Sequence, residues 1–456
     1  MATDVGVWDA VRWFGSMKVG IFSISFSWIL PGVCLPSVCL FVMAGVLSGQ
    51  SFPTKFHTSI ADDARVTSAL RSIEQRRGEL IQEWIRLAEI PAEPGGEQAR
   101  AQYARERLPA SGFTDVRTDE IGNVIAELHG TDPHGPVIAF AAHMDMVFAA
   151  SVPRKVRREN GKLYCPGIGD DTSGLVSLIA ALEAVHQAGI KLHGTLVLVA
   201  SVQEERRLQG TRYLLAKSEI HPDMFVAIDT PLGEVWYGAL RVTRLKFNYT
   251  SPGSHTLTSR GKPSPARAVA LAIEQLYEIP LPPVEPGLGV WKVPVINVGM
   301  LGGGTAPNAI PQEAWFTVDL RSQDASTQER LELEVLRGAK AAAEKEGVGF
   351  RMEKPSGEDV DYSKVRSREA RRADPLVQTA LDIQRYLNIP SVQPAPLDIG
   401  STDANVAVGM GIPGIAIGGP YYERQHALDE VAEESSIIPG TKMLILLAVS
   451  LAELAD

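Results

Sequence analysis

Cysteine is almost absent from this chain: there are three in 456 residues, and two of them, Cys34 and Cys39, fall in one apolar N-terminal stretch. Cys165 stands alone in the remainder, which excludes a disulfide framework there and leaves His, Asp and Glu to hold any metal. Charge is missing altogether between Lys18 and Lys55, and Val19 to Leu47 is strongly apolar. Arg12 and Lys18 give that run the positive flank of an export signal, and small residues from Ala44 to Gly49 offer a cleavage site. Pro31, Gly32 and Pro36 speak against one straight membrane span. Residues 1–54 therefore read as a signal peptide, with an uncleaved membrane anchor as the alternative. The expected product is exported (periplasmic or secreted), or anchored and touching membrane only through this segment. No long basic run follows Lys55 and the net charge is -10, which excludes nucleic acid as a partner. Internal repeats and low-complexity tracts are absent as well.

What is present has the balance of a soluble globular protein, 45% hydrophobic and 21% charged, and is too long for one ordinary core. Three short apolar runs, 137–142, 196–202 and 224–228, have the continuous character of strands buried on both faces. Helical spacing is read over 62–89, 97–108 and 173–188, and a later strand over 414–417 precedes a closing helix at 438–454. From about Gly238 the pattern changes to alternating strands and two helices, 265–277 and 327–346, before the first pattern resumes with a helix at 375–387. The expected fold is α/β: an open mixed sheet flanked by helices over 62–237 and 373–456, with an inserted α+β lid or dimerisation domain over 238–372.

The strands end in polar residues: His143 and Asp145, Glu204 and Glu205, Asp229, with Asp170 and Asp171 before a helix and His426 after the last strand. Strand ends of an open α/β sheet face the ligand crevice. Taken singly, each has a plain reading: a solvated charge pair, a loop histidine, a helix cap. Gathered on one sheet edge they would repel one another without a counter-charge, which a divalent metal supplies. Zinc accepts imidazole and carboxylate, and paired ions roughly 3.5–4 Å apart are a recurring hydrolytic centre. The triplet Gly302–Gly304 lacks dinucleotide spacing and precedes Pro307, which removes a nucleotide-binding reading.

From about Arg65 to the C-terminus the chain carries, in order, AAHMDMV, GIGDDTSG, VQEERRLQG, AIDTP, GSHT, GGGTAPNAIP with DLRS, GSTDAN and RQHALDE. In these it resembles the co-catalytic zinc peptidases grouped with peptidase T, carboxypeptidase G and the aminoacylases. The resemblance implies two Zn2+ per chain, with Co2+ or Mn2+ as substitutes. His143 and Asp229 would hold one ion, Glu205 and His426 the other, and Asp170 would bridge them. Asp145 would orient His143, and Glu204 would be the general base for a metal-bridging water. In the inserted domain, His255 would bind the scissile carbonyl, reaching across a homodimer. Asn308, Arg321 and Gly400 would grip the substrate. A cis peptide between Asp170 and Asp171 is also implied. Thr172 and Arg207 depart from the family pattern, which often has lysine and glycine there.

An aspartate at position 229 is the usual choice in the aminopeptidase and dipeptidase branches. It favours hydrolysis of di- or tripeptides from the amino end over N-acyl amino acid deacylation or carboxypeptidase action. A reading from another class is an inactive peptide-binding dimeric scaffold, which the full set of ligands and base opposes.

Overall fold

The computed structural model describes residues 52–113, 115–217, 220–284, 288–354, 362–391 and 396–456, so most of the N-terminal segment expected over 1–54 lies outside the described residues. The chain enters through α1 (Thr58–Asp62), α2 (Ala64–Gln75) and α3 (Arg77–Ala88). The single helix expected over 62–89 is thus broken at Arg76, whose guanidinium reaches Glu79 and Glu183. Asp63 caps α2, its carboxylate accepting from the Arg65 and Val66 amides. Then follow α4 (Gln98–Ala110), β1 (Asp115–Thr118), β2 (Val124–Leu128), β3 (Val137–His143), β4 (Arg157–Glu159), β5 (Lys162–Tyr164), α5 (Thr172–Gln187), β6 (Thr195–Ser201), α6 (Gln209–Lys217), β7 (Met224–Thr230) and β8 (Val235–Trp236).

A separate run builds β9 (Arg241–Thr250), β10 (Ser254–His255), α7 (Pro265–Tyr277), β11 (Val295–Gly303), β12 (Ala309–Ile310), β13 (Glu313–Ser322), α8 (Ala325–Glu346) and β14 (Gly349–Glu353). The chain closes with α9 (Arg368–Arg372), α10 (Pro375–Tyr386), α11 (Asp403–Gly409), β15 (Gly414–Gly418), β16 (Tyr422–Glu423), β17 (Val431–Glu433) and α12 (Ile437–Leu451).

Seven strands form the main sheet in the order β1-β2-β6-β3-β7-β15-β8. Its centre, β6-β3-β7-β15, is parallel, and the flanking pairs are antiparallel, giving the open mixed sheet expected. Period-two alternation sends residues to two different cores. Ile138, Phe140 and Ala142 of β3 pack into the layer that holds α2, α3, α5 and α12, while Ala139 and Ala141 pack against α6 and α11. Strand β6 divides the same way, Leu196 and Leu198 to one side and Val197 and Val199 to the other. Both faces being covered explains the unbroken apolar runs. α12, apolar but for a few residues such as Lys442, lies deep in its layer, with twelve of its fifteen residues buried.

β11-β13-β9-β14 form a second, antiparallel sheet. Leu245, Phe247 and Tyr249 of β9 and Phe316, Val318 and Leu320 of β13 point into a core shared with α7 and α8. The alternate residues, Arg244 of β9 and Asp319 and Arg321 of β13, consequently face the other way.

Tight packing of α5 against the site is visible at Gly174. A methyl group there would overlap the Ile228 carbonyl oxygen and the Asp171 carboxylate. Overpacking of this kind costs about 1–3 kcal/mol. Gly174→Ala is therefore expected to lower the thermal unfolding midpoint measurably. An unchanged midpoint would show that the first turn of α5 is free to shift.

Candidate active site

The parallel strands deliver their C-terminal ends to one edge. His143 is the last residue of β3, Asp229 the penultimate residue of β7, and Glu204 and Glu205 follow β6 by three and four residues. Asp170 sits in the loop before α5, and His426 lies between β16 and β17. Those two short strands join β5 and β4 in a small antiparallel sheet that carries His426 back over the edge.

Asp170 is central. Its Oδ1 lies 2.9 Å from His143 Nε2 and its Oδ2 lies 3.3 Å from His426 Nε2. Asp229 Oδ1 is 3.8 Å from His143 Nε2, and Glu205 Oε1 is 3.0 Å from His426 Nε2. The ligand atoms therefore fall into two groups, His143–Asp170–Asp229 and Asp170–Glu205–His426, that share Asp170. Glu204 belongs to a third grouping with His143 and Glu205.

Backbone contacts hold these side chains in place. The Asp145 carboxylate accepts from the amides of Glu204 (2.9 Å) and Glu205 (3.0 Å), while its backbone oxygen lies 3.1 Å from His143 Nδ1. Its carboxylate Oδ1 is 3.5 Å from the same nitrogen, so Asp145 serves both the histidine and the glutamate pair. Asp171 accepts from the His143 amide at 2.9 Å. Glu430 accepts from the amides of Gly167, Gly169 and Asp170 at 2.6, 2.9 and 2.9 Å, and Trp84 donates to the Ile168 carbonyl at 2.6 Å. The peptide bond from Asp170 to Asp171 is cis, as the resemblance implies. Gln203, Arg207, Leu208 and His426 all adopt positive φ (53°, 71°, 57° and 60°). Non-glycine residues are rarely left-handed, and such outliers gather at functional sites.

Burial and mutual repulsion dominate the electrostatics. Burial pushes the Glu204 carboxyl well above its ordinary range and Asp229 up to about 7. Burial also raises Glu205 and Asp171, and takes Glu430 up to about 8. Burial works against Asp170 too, but His143 and His426 together hold it below the usual carboxylate range. For His143, burial is outweighed by Asp145, Asp170 and Asp229, so its imidazole is raised. His426 is lifted to about 10 by Asp170 and Glu205. So many buried carboxylates cannot all ionise without cationic charge among them. Two imidazoles and three carboxylates, arranged in two groups about a common aspartate, are a donor set that suits a pair of zinc-like divalent ions.

Beside the cluster opens a cavity of about 750 Å³, its wall including Glu204, Asp229, His426 and Arg321. Gly400 lies between two wall residues, Ile399 and Ser401, and its carbonyl accepts from the Leu240 amide. His255 and Asn308 are brought together elsewhere, on the ribbon of β10 and β12, where the Thr256 amide donates to the Asn308 carbonyl. His255 is exposed, its Nδ1 accepting from the Leu257 amide, and neither residue is part of the cavity wall. Glu430 and Asp171 lie inside the RQHALDE and GIGDDTSG motifs, yet nothing in those motifs marks them as supports of the site. Their importance depends on which backbone amides a loop leaves unpaired, which no residue pattern records.

Comparison with known proteins gives a match to the family model described as Peptidase family M20/M25/M40 over residues 139–450. The uncharacterized protein YqjE of Bacillus subtilis is 24% identical over 382 residues, covering 80% of this chain and 96% of that protein. Carboxypeptidase G2 of a Pseudomonas species is 25% identical over 170 residues, which is 35% of this chain and 40% of that protein. A tripeptidase structure from Staphylococcus aureus shares the fold, with a TM-score of 0.66 at 20% identity over 83% of this chain and 99% of that one.

Proposed function

The chain belongs to peptidase family M20/M25/M40, and from that membership we propose a two-zinc exopeptidase that removes the N-terminal residue of di- and tripeptides. The observation that carries this reading is the Asp170 carboxylate, which turns one oxygen to each histidine while Glu204 lies buried alongside. In this reading His143 and Asp229 would hold one ion and Glu205 and His426 the other, with Asp170 common to both groups. When bound, such a pair supplies Lewis acidity that polarises a substrate carbonyl and makes water more acidic. Glu204 takes the proton from the attacking water onto its carboxylate and returns it to the departing amine, which its raised proton affinity suits. Arg321 offers a planar fork for a substrate carboxylate, and its Nε is already oriented by Asp319 at 2.8 Å. His255 and Asn308 act across a homodimer formed through the second sheet and its helices.

The aspartate at 229 supports cleavage from the amino end. Likeness to carboxypeptidase G2 favours removal of a C-terminal residue as the second reading, with deacylation of N-acyl amino acids as its companion alternative. Incubating the purified protein with tripeptides, dipeptides and N-acyl amino acids, and identifying the products, separates them. Release of the free N-terminal residue supports the first reading. Hydrolysis confined to N-acyl substrates overturns it.

Metal removal gives an independent check. Elemental analysis is expected to find about two divalent ions per chain. Chelation is expected to abolish turnover and lower the unfolding temperature, since the carboxylates then lose their counter-charge. Zinc should restore both. His143→Ala is expected to lose metal as well as activity. Full metal content in that variant would remove His143 from the ligand set.

A further inference from the structure

Across the second sheet, Val295 of β11, Arg321 of β13 and Val242 of β9 stand directly opposite one another in one row. Opposed residues of antiparallel strands share a face, and all three line the cavity beside the metal cluster. The guanidinium proposed to grip a substrate carboxylate is thus flanked on both sides by a half-buried valine. Val293 and the rings of Trp291 and Trp236 belong to the same wall. The two indoles meet edge to face, their centroids 5.3 Å apart and their planes at 85°. Trp236 is fixed from two sides, its Nε1 donating to Glu234 at 2.7 Å and its backbone pairing with Ala416 of β15. Both rings are half-buried, so part of each remains uncovered. Arg207, Arg212 and Arg244 also line the cavity, but each is engaged by other groups of the chain, and Lys292 is exposed.

We propose that this apolar wall receives the side chain of the substrate's C-terminal residue, so that the preferred substrates are dipeptides and tripeptides ending in a large apolar residue. Trp236 and Trp291 are its specificity-determining residues. The inference rests on the peptidase reading above and names its substrate class. Arg321 fixes the terminal carboxylate, and the side chain on the same Cα is thereby set against the flanking valines and the indoles. The distance fits as well: β8, which carries Trp236, lies two strands from β7, which carries Asp229. That is about 10 Å across the sheet, the span of about three extended residues. Taking a large apolar side chain out of water is favourable in proportion to its area, and a substrate ring gains further by meeting an indole edge to face. A carboxylate side chain seated among valines and indoles gives up its hydration instead.

The test compares hydrolysis of Ala-Ala-Phe, Ala-Ala-Leu, Ala-Ala-Glu and Phe-Ala-Ala with that of Ala-Ala-Ala by the zinc-loaded protein. Phenylalanine or leucine at the C-terminus should raise kcat/KM about tenfold or more, the scale of burying such a side chain. Ala-Ala-Glu should gain nothing, and Phe-Ala-Ala much less than Ala-Ala-Phe. In Trp291→Ala the ratio of Ala-Ala-Phe to Ala-Ala-Ala should fall toward one while the metal ions stay bound, and Trp291→Phe should regain part of it. A wild-type ratio near one, a larger gain from Phe-Ala-Ala or Ala-Ala-Glu, or a ratio unmoved in Trp291→Ala overturns the inference.

Failure to hydrolyse any peptide would instead defeat the peptidase reading. The subsite is then read without turnover, by calorimetry of 3-phenylpropanoate against propanoate, which present the same carboxylate with and without a ring. The ring should tighten binding about tenfold, with the difference lost in Trp291→Ala. Equal affinities overturn the subsite.

Discussion

Glutamine in place of Glu204 is expected to leave both metal ions bound and to cut turnover by about 10²–10⁴-fold. The substitution preserves shape, and the backbone at 204 stays anchored because the Asp145 carboxylate accepts from its amide. What changes is the ability to accept a proton. A carboxylate only 7% exposed, raised by burial, is suited to holding a proton between its removal from water and its delivery to an amine. The competing assignment is concrete, since Glu204 also stands within ligand reach of His143 and Glu205. Metal content decides between them. A variant that loses both turnover and an ion makes Glu204 a ligand, and one that keeps near-normal turnover removes it from the reaction. The assigned role requires metal retained and turnover lost.

Much of this arrangement is readable from the chain because buried parallel strands leave so little freedom. Runs such as 137–142 and 196–202 must be covered on both faces, and where the apolar residues stop, the crevice edge begins. That locates His143, Glu204 and Glu205 without knowledge of the helices. The run 224–228 marks Asp229 in the same way, although the strand continues one residue beyond it, to Thr230. The small sheet of β4, β5, β16 and β17 is invisible in the sequence. Its strands are two or three residues long, and β4, Arg157–Glu159, is exposed throughout, so period-two alternation has nothing to act on. Helix α11 begins at Asp403, within a stretch that reads as a loop because Gly, Ser and Thr precede it. Likewise 414–417 reads as the last strand, although β16 and β17 follow it.

The supports of the site are the least readable part. Asp145 and Glu430 act on backbone amides of loops 59 or more residues away in the chain, a relation that only the closed fold creates. His255 is a different case. Its residue type and motif point to the reaction, yet its place on the β10–β12 ribbon is exposed and outside the wall of its own chain's cavity.

That displacement leads to the second large effect. In the proposed homodimer His255 completes the site of the partner, so His255→Ala and Glu204→Gln are each expected to be nearly inactive alone. Mixed in equal amounts under conditions that exchange subunits, they should regain activity. Random pairing makes half of the dimers hybrids, and in each hybrid the His255→Ala chain keeps its own Glu204 and receives His255 from its partner. The other centre in that hybrid lacks both. Recovery should therefore approach about one quarter of the wild-type rate, the share expected for a two-fold symmetric dimer with shared sites. The physical demand behind this is a donor on the substrate carbonyl, on the side away from the ions, that arrives when the second sheet closes and excludes water. An exposed histidine on a two-stranded ribbon can make that approach without rebuilding a core. If exchange is verified by mass-tagged subunits and no activity returns, His255 serves its own chain or has no part in the reaction. Recovery well above one quarter would contradict the assignment too, because it would require the doubly deficient centre to work.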